Sequence, residues 1–158
     1  MLGGQSNTSS GAHSAVGGGE SNSNSAGLGT IAGGQGNTIG ASSTYGFLGG
    51  GSSNDLSASD GYGVICGGAD NKIADDGFSF VGGGEDNVID SGSATEVYNV
   101  IVGGRENDII GAYNFIGGGF GNEVIAGTLY SSIVGGRDNS VTGNHGVIAG
   151  GELNPYGS

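Results

Sequence analysis

Ser131-Ser132-Ile133-Val134-Gly135-Gly136-Arg137-Asp138-Asn139-Ser140-Val141-Thr142-Gly143 is the stretch whose reading decides the fold. It holds two short runs of strand-favouring residues, Ser131–Val134 and Ser140–Thr142. A glycine pair, two polar residues and an asparagine separate them. Adjacent glycines oppose a helix by roughly 1 kcal/mol each, and β-branched Ile and Val favour a strand. The segment therefore reads as strand, tight corner, strand.

The same pattern recurs throughout the chain. A Gly-Gly pair is followed three residues later by Asn7, Asn22, Asn37, Asn54, Asn71, Asn87, Asn107, Asn122, Asn139 and Asn154. The spacings are 15, 15, 17, 17, 16, 20, 15, 17 and 15 residues. Ten copies fill the 158 residues, so residues 1–158 read as a single repeat domain. Positions are numbered below relative to each Asn. Position −6 is apolar in every copy: Met1, Val16, Ile31, Leu48, Ile65, Val81, Ile101, Ile116, Ile133 and Ile148. Position +2 holds Ile39, Leu56, Ile73, Ile89, Ile109, Val124 and Val141, with Ser9, Asn24 and Tyr156 in the remaining copies.

A period near 16 with two short strands and glycine corners describes one coil of a β-solenoid. The expected fold is all-β, a parallel β-roll of about ten coils, with columns −6 and +2 as apolar ladders inside it. Variation in spacing falls between +2 and the next strand, where an insertion can bulge outward. The glycine pair implies a positive φ or an approach too close for a Cβ. The Asn column fits a left-handed corner with local backbone bonding. Stacked one strand apart, Asn37, Asn54, Asn71, Asn87, Asn107, Asn122 and Asn139 can also form an amide ladder.

Strand alternation sends positions −9, −7 and −5 away from the interior. Position −9 is an aromatic column, Tyr45, Tyr62, Phe78, Tyr98, Tyr113 and Tyr130, bounded by Leu28, His13 and His145. Position −7 is Ala15, Thr30, Phe47, Val64, Phe80, Val100, Phe115, Ser132 and Val147, and −5 is small or apolar, including Cys66. Such a stripe is expected to be covered by identical chains, or to face a glycan.

Ser131–Gly136 and Asn139–Gly143 resemble the head repeats of YadA-like trimeric adhesins. They are also similar to the Gly- and Asn-rich repeats of bacteriophage tail fibres. The resemblance implies a left-handed parallel β-roll with three chains about one axis. It covers essentially the whole chain as a pattern. The repeat is longer and less regular than in those adhesins, and no coiled-coil stalk or membrane anchor is visible. The first copy begins at Met1 and the last stops four residues after Asn154, which reads as a segment of a longer fibre or a very short one.

Composition narrows the function. Three Lys or Arg against 15 Asp or Glu give a net charge of −12, which opposes binding to nucleic acid or anionic lipid. No apolar run is long enough to span a membrane and no signal peptide is visible. The 40 glycines lack the triplet period of collagen. Gly82-Gly83-Gly84-Glu85-Asp86-Asn87 resembles a calcium-binding RTX repeat, but a neutral Asn holds the key position in every copy. The carboxylate pairs Glu85/Asp86 and Asp75/Asp76 read as solvated corners, and His13, His145 and Cys66 as packing residues. Thr forms no column, which opposes ice binding. No catalytic residue, metal or cofactor is expected.

The expected function is thus non-enzymatic: a structural or adhesive segment of a homotrimeric surface or virion fibre, extracellular, serving host or surface attachment. A host glycan or receptor is the expected outside partner. The longest insertion, Asp90, Ser91, Gly92, Ser93, Ala94, Thr95, Glu96 and Val97, is the candidate contact loop. The alternative is a calcium-binding, RTX-like or glycan-active solenoid.

Overall fold

A computed structural model describes residues 3–57, 61–74, 77–92 and 98–156. Among these residues are nineteen strands of two residues each, from Thr8–Ser9 to Pro155–Tyr156. They form two parallel sheets. The ten strands that follow each Asn make one sheet, and the nine that precede each glycine pair make the other. Every strand pairs with its counterpart one coil away, as in Ile89 with Ile109 and Val81 with Ile101. The chain is therefore a β-solenoid. The expected ten coils are ten copies of the motif enclosing about nine turns. At ~4.8 Å per turn the rod is roughly 43 Å long.

A third ladder, one residue wide, runs along position −2. Gln5, Glu20, Gln35, Ser52, Ala69, Glu85, Arg105, Phe120, Arg137 and Glu152 form successive parallel bridges. Each coil is thus tied to the next at three places around its circumference.

The two apolar columns lie where expected. Ile31, Leu48, Ile65, Val81, Ile101, Ile116 and Ile133 from −6 are fully buried, as are Ile39, Leu56, Ile73, Ile89, Ile109, Val124 and Val141 from +2. Position +2 in the second copy is Asn24, also buried. Its Nδ2 donates to the Ala15 carbonyl, and its Oδ1 accepts from the Ala26 amide.

The corner assigns its residues differently from the sequence-based expectation. The second glycine of each pair does need a positive φ, +91° at Gly104, and a Cβ there would overlap the Gly119 carbonyl oxygen of the next coil. No ladder Asn has a positive φ. The left-handed residue is the one before it: Ser6, Ser21, Gly36, Ser53, Asp70, Asp86, Glu106, Gly121, Asp138 and Leu153, with φ between 52° and 65°.

Hydrogen-bond direction explains the correction. Strand amides donate to the following coil, as Thr8 does to the Asn22 carbonyl. A left-handed residue turns its amide around. Ser21 donates back to Gln5, Gly36 to Glu20, and Glu106 to Glu85. The next amide, that of the Asn, also points back, but the carbonyl of the preceding Asn faces back too and accepts from the strand amide of the coil before it, as Asn87 does from Lys72. The preceding Asn supplies its side chain instead: Oδ1 of Asn87 accepts from the Asn107 backbone N–H at 3.2 Å and from its Nδ2 at 2.9 Å. Asn107 Nδ2 also donates to Gly103 in its own coil and Gly119 in the next. Asn fits because it carries an acceptor and two donors on one short side chain.

Candidate functional site

The site built by the strand before each glycine pair is its outer face. Alternation about the buried −6 residue leaves −9, −7 and −5 outward. Phe78, Phe47 and Val102 are exposed, and the −9 aromatics Tyr45, Tyr62, Phe78, Tyr98 and Tyr130 are 44–54% accessible. Tyr113 is half-buried.

The aromatic column is brought together as a continuous stack. Ring centroids are 4.5 Å apart for Tyr45–Tyr62 and Tyr62–Phe78, and 5.1 Å for Phe78–Tyr98. They are 5.6 Å for Tyr98–Tyr113 and 5.0 Å for Tyr113–Tyr130, and His145 closes the series at 5.5 Å from Tyr130. The planes differ by only 3–25° in the five Tyr and Phe pairs. Near-parallel stacking at these centroid distances lies within the range over which aromatic rings attract one another. It also has a chemical consequence. Every interior ring has both faces against its neighbours, so the edges are what the column offers outward. A sugar that stacks on aromatic rings needs an open face.

The charges lie elsewhere. Positions −9, −7 and −5 contain no Asp, Glu, Lys or Arg in any copy, in a chain of net charge −12. Cys66 sits exposed in this neutral strip as a free thiol. Among the described residues, the acids and bases occupy the corner and the other sheet with the residue that follows its strands. Phe120 lies between two guanidinium groups, with Arg105 5.3 Å and Arg137 5.7 Å from its ring centre. Arg105 pairs with Glu106 at 2.7 Å, and this hydrogen bond and charge raise its pKa further. Arg137 pairs with Asp138 at 3.2 Å and Glu152 at 3.6 Å.

On the outer side of the other sheet, Asp108 faces Val88 on one strand and Glu123 on the next. Burial pushes its carboxyl up to about 6, and the like charges of Glu123 and Asp90 push in the same direction. Its Oδ1 is shielded from solvent and accepts no hydrogen bond. Among the described residues, no group of three His, Cys, Asp or Glu is placed to hold a metal ion. No helix among them is long and apolar enough to cross a membrane.

Sequence reasoning missed a second ladder. Position −8 points inward, and Asn99, Asn114 and Ser131 are buried there. Asn99 Oδ1 accepts from the Asn114 amide, Asn114 Oδ1 from the Ser131 amide, and Ser131 Oγ from the Gly146 amide, at 2.9–3.0 Å. Tyr113, Tyr130 and His145, directly before the last three of these residues, are left-handed with φ of 57–60°. The signal was present: Gly111-Ala112-Tyr113-Asn114 repeats the Gly-x-x-Asn spacing of Gly104-Arg105-Glu106-Asn107. Within that coil the bridge and the Asn hydrogen bonds of the main corner recur, without the positive φ at the glycine.

Of the candidate contact loop, Asp90, Ser91 and Gly92 are described, with Asp90 Oδ1 accepting from the Gly92 amide at 3.2 Å. Ser93, Ala94, Thr95, Glu96 and Val97 lie outside the described residues, as do Met1, Leu2, Asp75 and Asp76. No protein-family model matches the chain, and no curated protein is significantly similar to it.

Proposed function

We propose that this chain is a non-enzymatic, rod-like segment of a homotrimeric fibre on a cell surface or virion, serving attachment. The rod would be a left-handed β-roll, with three copies joined along their neutral strips. The observation that carries the reading is that strip: an apolar, charge-free face running the length of an otherwise acidic rod. Monomers rarely leave so long an apolar patch in water. A footprint of roughly 43 Å by 13 Å, about 560 Å², stands at the upper end of the largest apolar patch a typical monomer exposes and amounts to about two-thirds of one side of a standard interface. Among the described residues, the corner and the other sheet each carry net negative charge and repel a second copy, which favours association through the neutral strip.

Absolute mass by light scattering, with and without a calcium chelator, tests the reading. The expected mass is near three times 15.2 kDa in both cases. A stable monomer would overturn the trimer. A mass that falls on chelation would favour the calcium-bound alternative. Glycan and cell-surface binding by the assembled rod then tests the attachment role.

A further inference from the structure

The phenols of the aromatic column are held in place by the sheet beside them. Tyr45 and Tyr62 stand two residues before Phe47 and Val64, which pair across adjacent coils. Tyr98, Tyr113 and Tyr130 stand likewise before Val100, Phe115 and Ser132, which also pair in succession. Tyr45 and Tyr62 form the flattest Tyr pair, with 4.5 Å between centroids and 3° between planes. Tyr113 and Tyr130 follow at 5.0 Å and 21°. Phe78 lies between Tyr62 and Tyr98, 4.5 Å from one and 5.1 Å from the other. It has no hydroxyl, so it divides the phenols into a block of two and a block of three.

Arrangement, not exposure, sets these tyrosines apart. Tyr62 and Tyr156 are equally accessible, at 44%. The Tyr156 ring lies over Gly146 at the end of the +2 column, away from the stack. Phenols held against one another share a chemistry that a solitary phenol lacks. A one-electron oxidant converts each to a phenoxyl radical, with its unpaired electron spread over the oxygen and the ortho carbons. Two radicals fixed side by side couple without having to find each other. The rings of Tyr45 and Tyr62 are half-exposed, so an oxidant reaches their edges and the rings have room to turn edge to edge as they join.

We infer that the aromatic column is a site of oxidative cross-linking, at which a haem peroxidase using hydrogen peroxide joins tyrosines of adjacent coils as dityrosine. Tyr45 with Tyr62 is the first pair and Tyr113 with Tyr130 the second. Each phenol loses one electron and its hydroxyl proton. The ortho carbons then bond, and the hydrogen on each moves to the neighbouring oxygen, which restores two phenols. The two electrons and two protons released reduce one hydrogen peroxide to two waters. With Cys66 as its single cysteine the chain cannot form an internal disulfide. Dityrosine would fasten one coil covalently to the next in its place. This goes beyond the attachment reading and does not rest on the trimer.

The test uses the full chain carrying Cys66→Ala, which removes a competing thiol, treated with a haem peroxidase and hydrogen peroxide. The product should show dityrosine fluorescence, lose two hydrogens of intact mass per bond and run as a single chain on a denaturing gel. Peptide mapping should join Tyr45 to Tyr62. Tyr62→Phe keeps a ring in the stack, as Phe78 does, and should lower the yield of cross-linked Tyr45 on the order of tenfold. Tyr156→Phe should leave that yield unchanged. Bonds that map chiefly to Tyr156, bonds that join separate chains, or equal loss in the two variants would overturn the inference. Light scattering reads the trimer separately: a monomer that forms the Tyr45–Tyr62 bond would overturn the trimer alone, and a trimer that does not form it would overturn the cross-link alone.

Discussion

At the scale of the residue, each corner places its conformational demands on two positions the side chains mark unequally. Glycine before the −2 bridge is required twice over, by φ and by the next coil's carbonyl. Gly104→Ala should therefore cost several kcal/mol, seen as a large drop in the urea midpoint. Ser21 sits at φ 55°, where an L-residue is held at some cost and Gly36 and Gly121 stand naturally in other coils. Ser21→Gly should raise stability by about 0.5–1 kcal/mol in the same measurement. This contrast also shows what the sequence could and could not disclose. The glycine pair was legible because only glycine fits there. The left-handed residue was not, because Ser, Asp, Glu, Gly and Leu all occupy it. Its constraint comes from an amide turned toward the preceding coil, which leaves no mark on side-chain chemistry. The Asn column was legible as a ladder, but was credited with a backbone conformation that belongs to its neighbour.

At the scale of the element, the strands are only two residues long, so ladders rather than individual strands are the units of stability. The columns at −6 and +2 were readable because large apolar residues recur there with hardly a break. The inner column at −8 was not, because its composition changes along the rod. Gly46 and Gly63 stand where a Cβ would collide with the Leu56 side chain, whereas Asn99, Asn114 and Ser131 fill the same position further on. Glycine there makes room for a large neighbour, and Asn there serves the backbone. Asn114→Ala removes the acceptor of the Ser131 amide and the donor to the Thr128 carbonyl, both buried. A loss of roughly 2–4 kcal/mol is expected by chemical denaturation. Asn114→Ser, which keeps an acceptor on a short side chain as Ser131 does, should recover part of it.

At the scale of the whole molecule, charge is sorted by face, and one acid is poorly placed. Asp108, half-buried beside Glu123 and Asp90, has its carboxyl pushed up to about 6. A carboxyl raised in the fold takes up a proton there before the unfolded chain does. Stability from this group is therefore greatest below pH ~4 and is lost as pH rises through about 6. Asp108→Asn should stabilise the rod at pH 7 by about 1 kcal/mol, the shift being discounted for the group's remaining exposure. The gain should vanish at pH 4, which urea midpoints at the two pH values would show. The neutral strip was read from the sequence as a stripe. Its freedom from charge is written in the same three columns, whereas the covering of its ring faces emerges only when the copies stand side by side in space.

The reversal of two amides at every corner has a mechanical consequence. Successive coils are fastened by bonds running along the rod in both directions, so none is held by a strand that continues into the next. A tensile load applied at the two ends falls first on the terminal coil, which can peel without disturbing those beneath. Each peeled coil would release some 50 Å of chain, about 16 residues at 3.3–3.6 Å each less the height it occupied. Single-molecule pulling should record a sawtooth with that step. Such a rod would yield by degrees under shear, losing length from an end while the remainder keeps its shape.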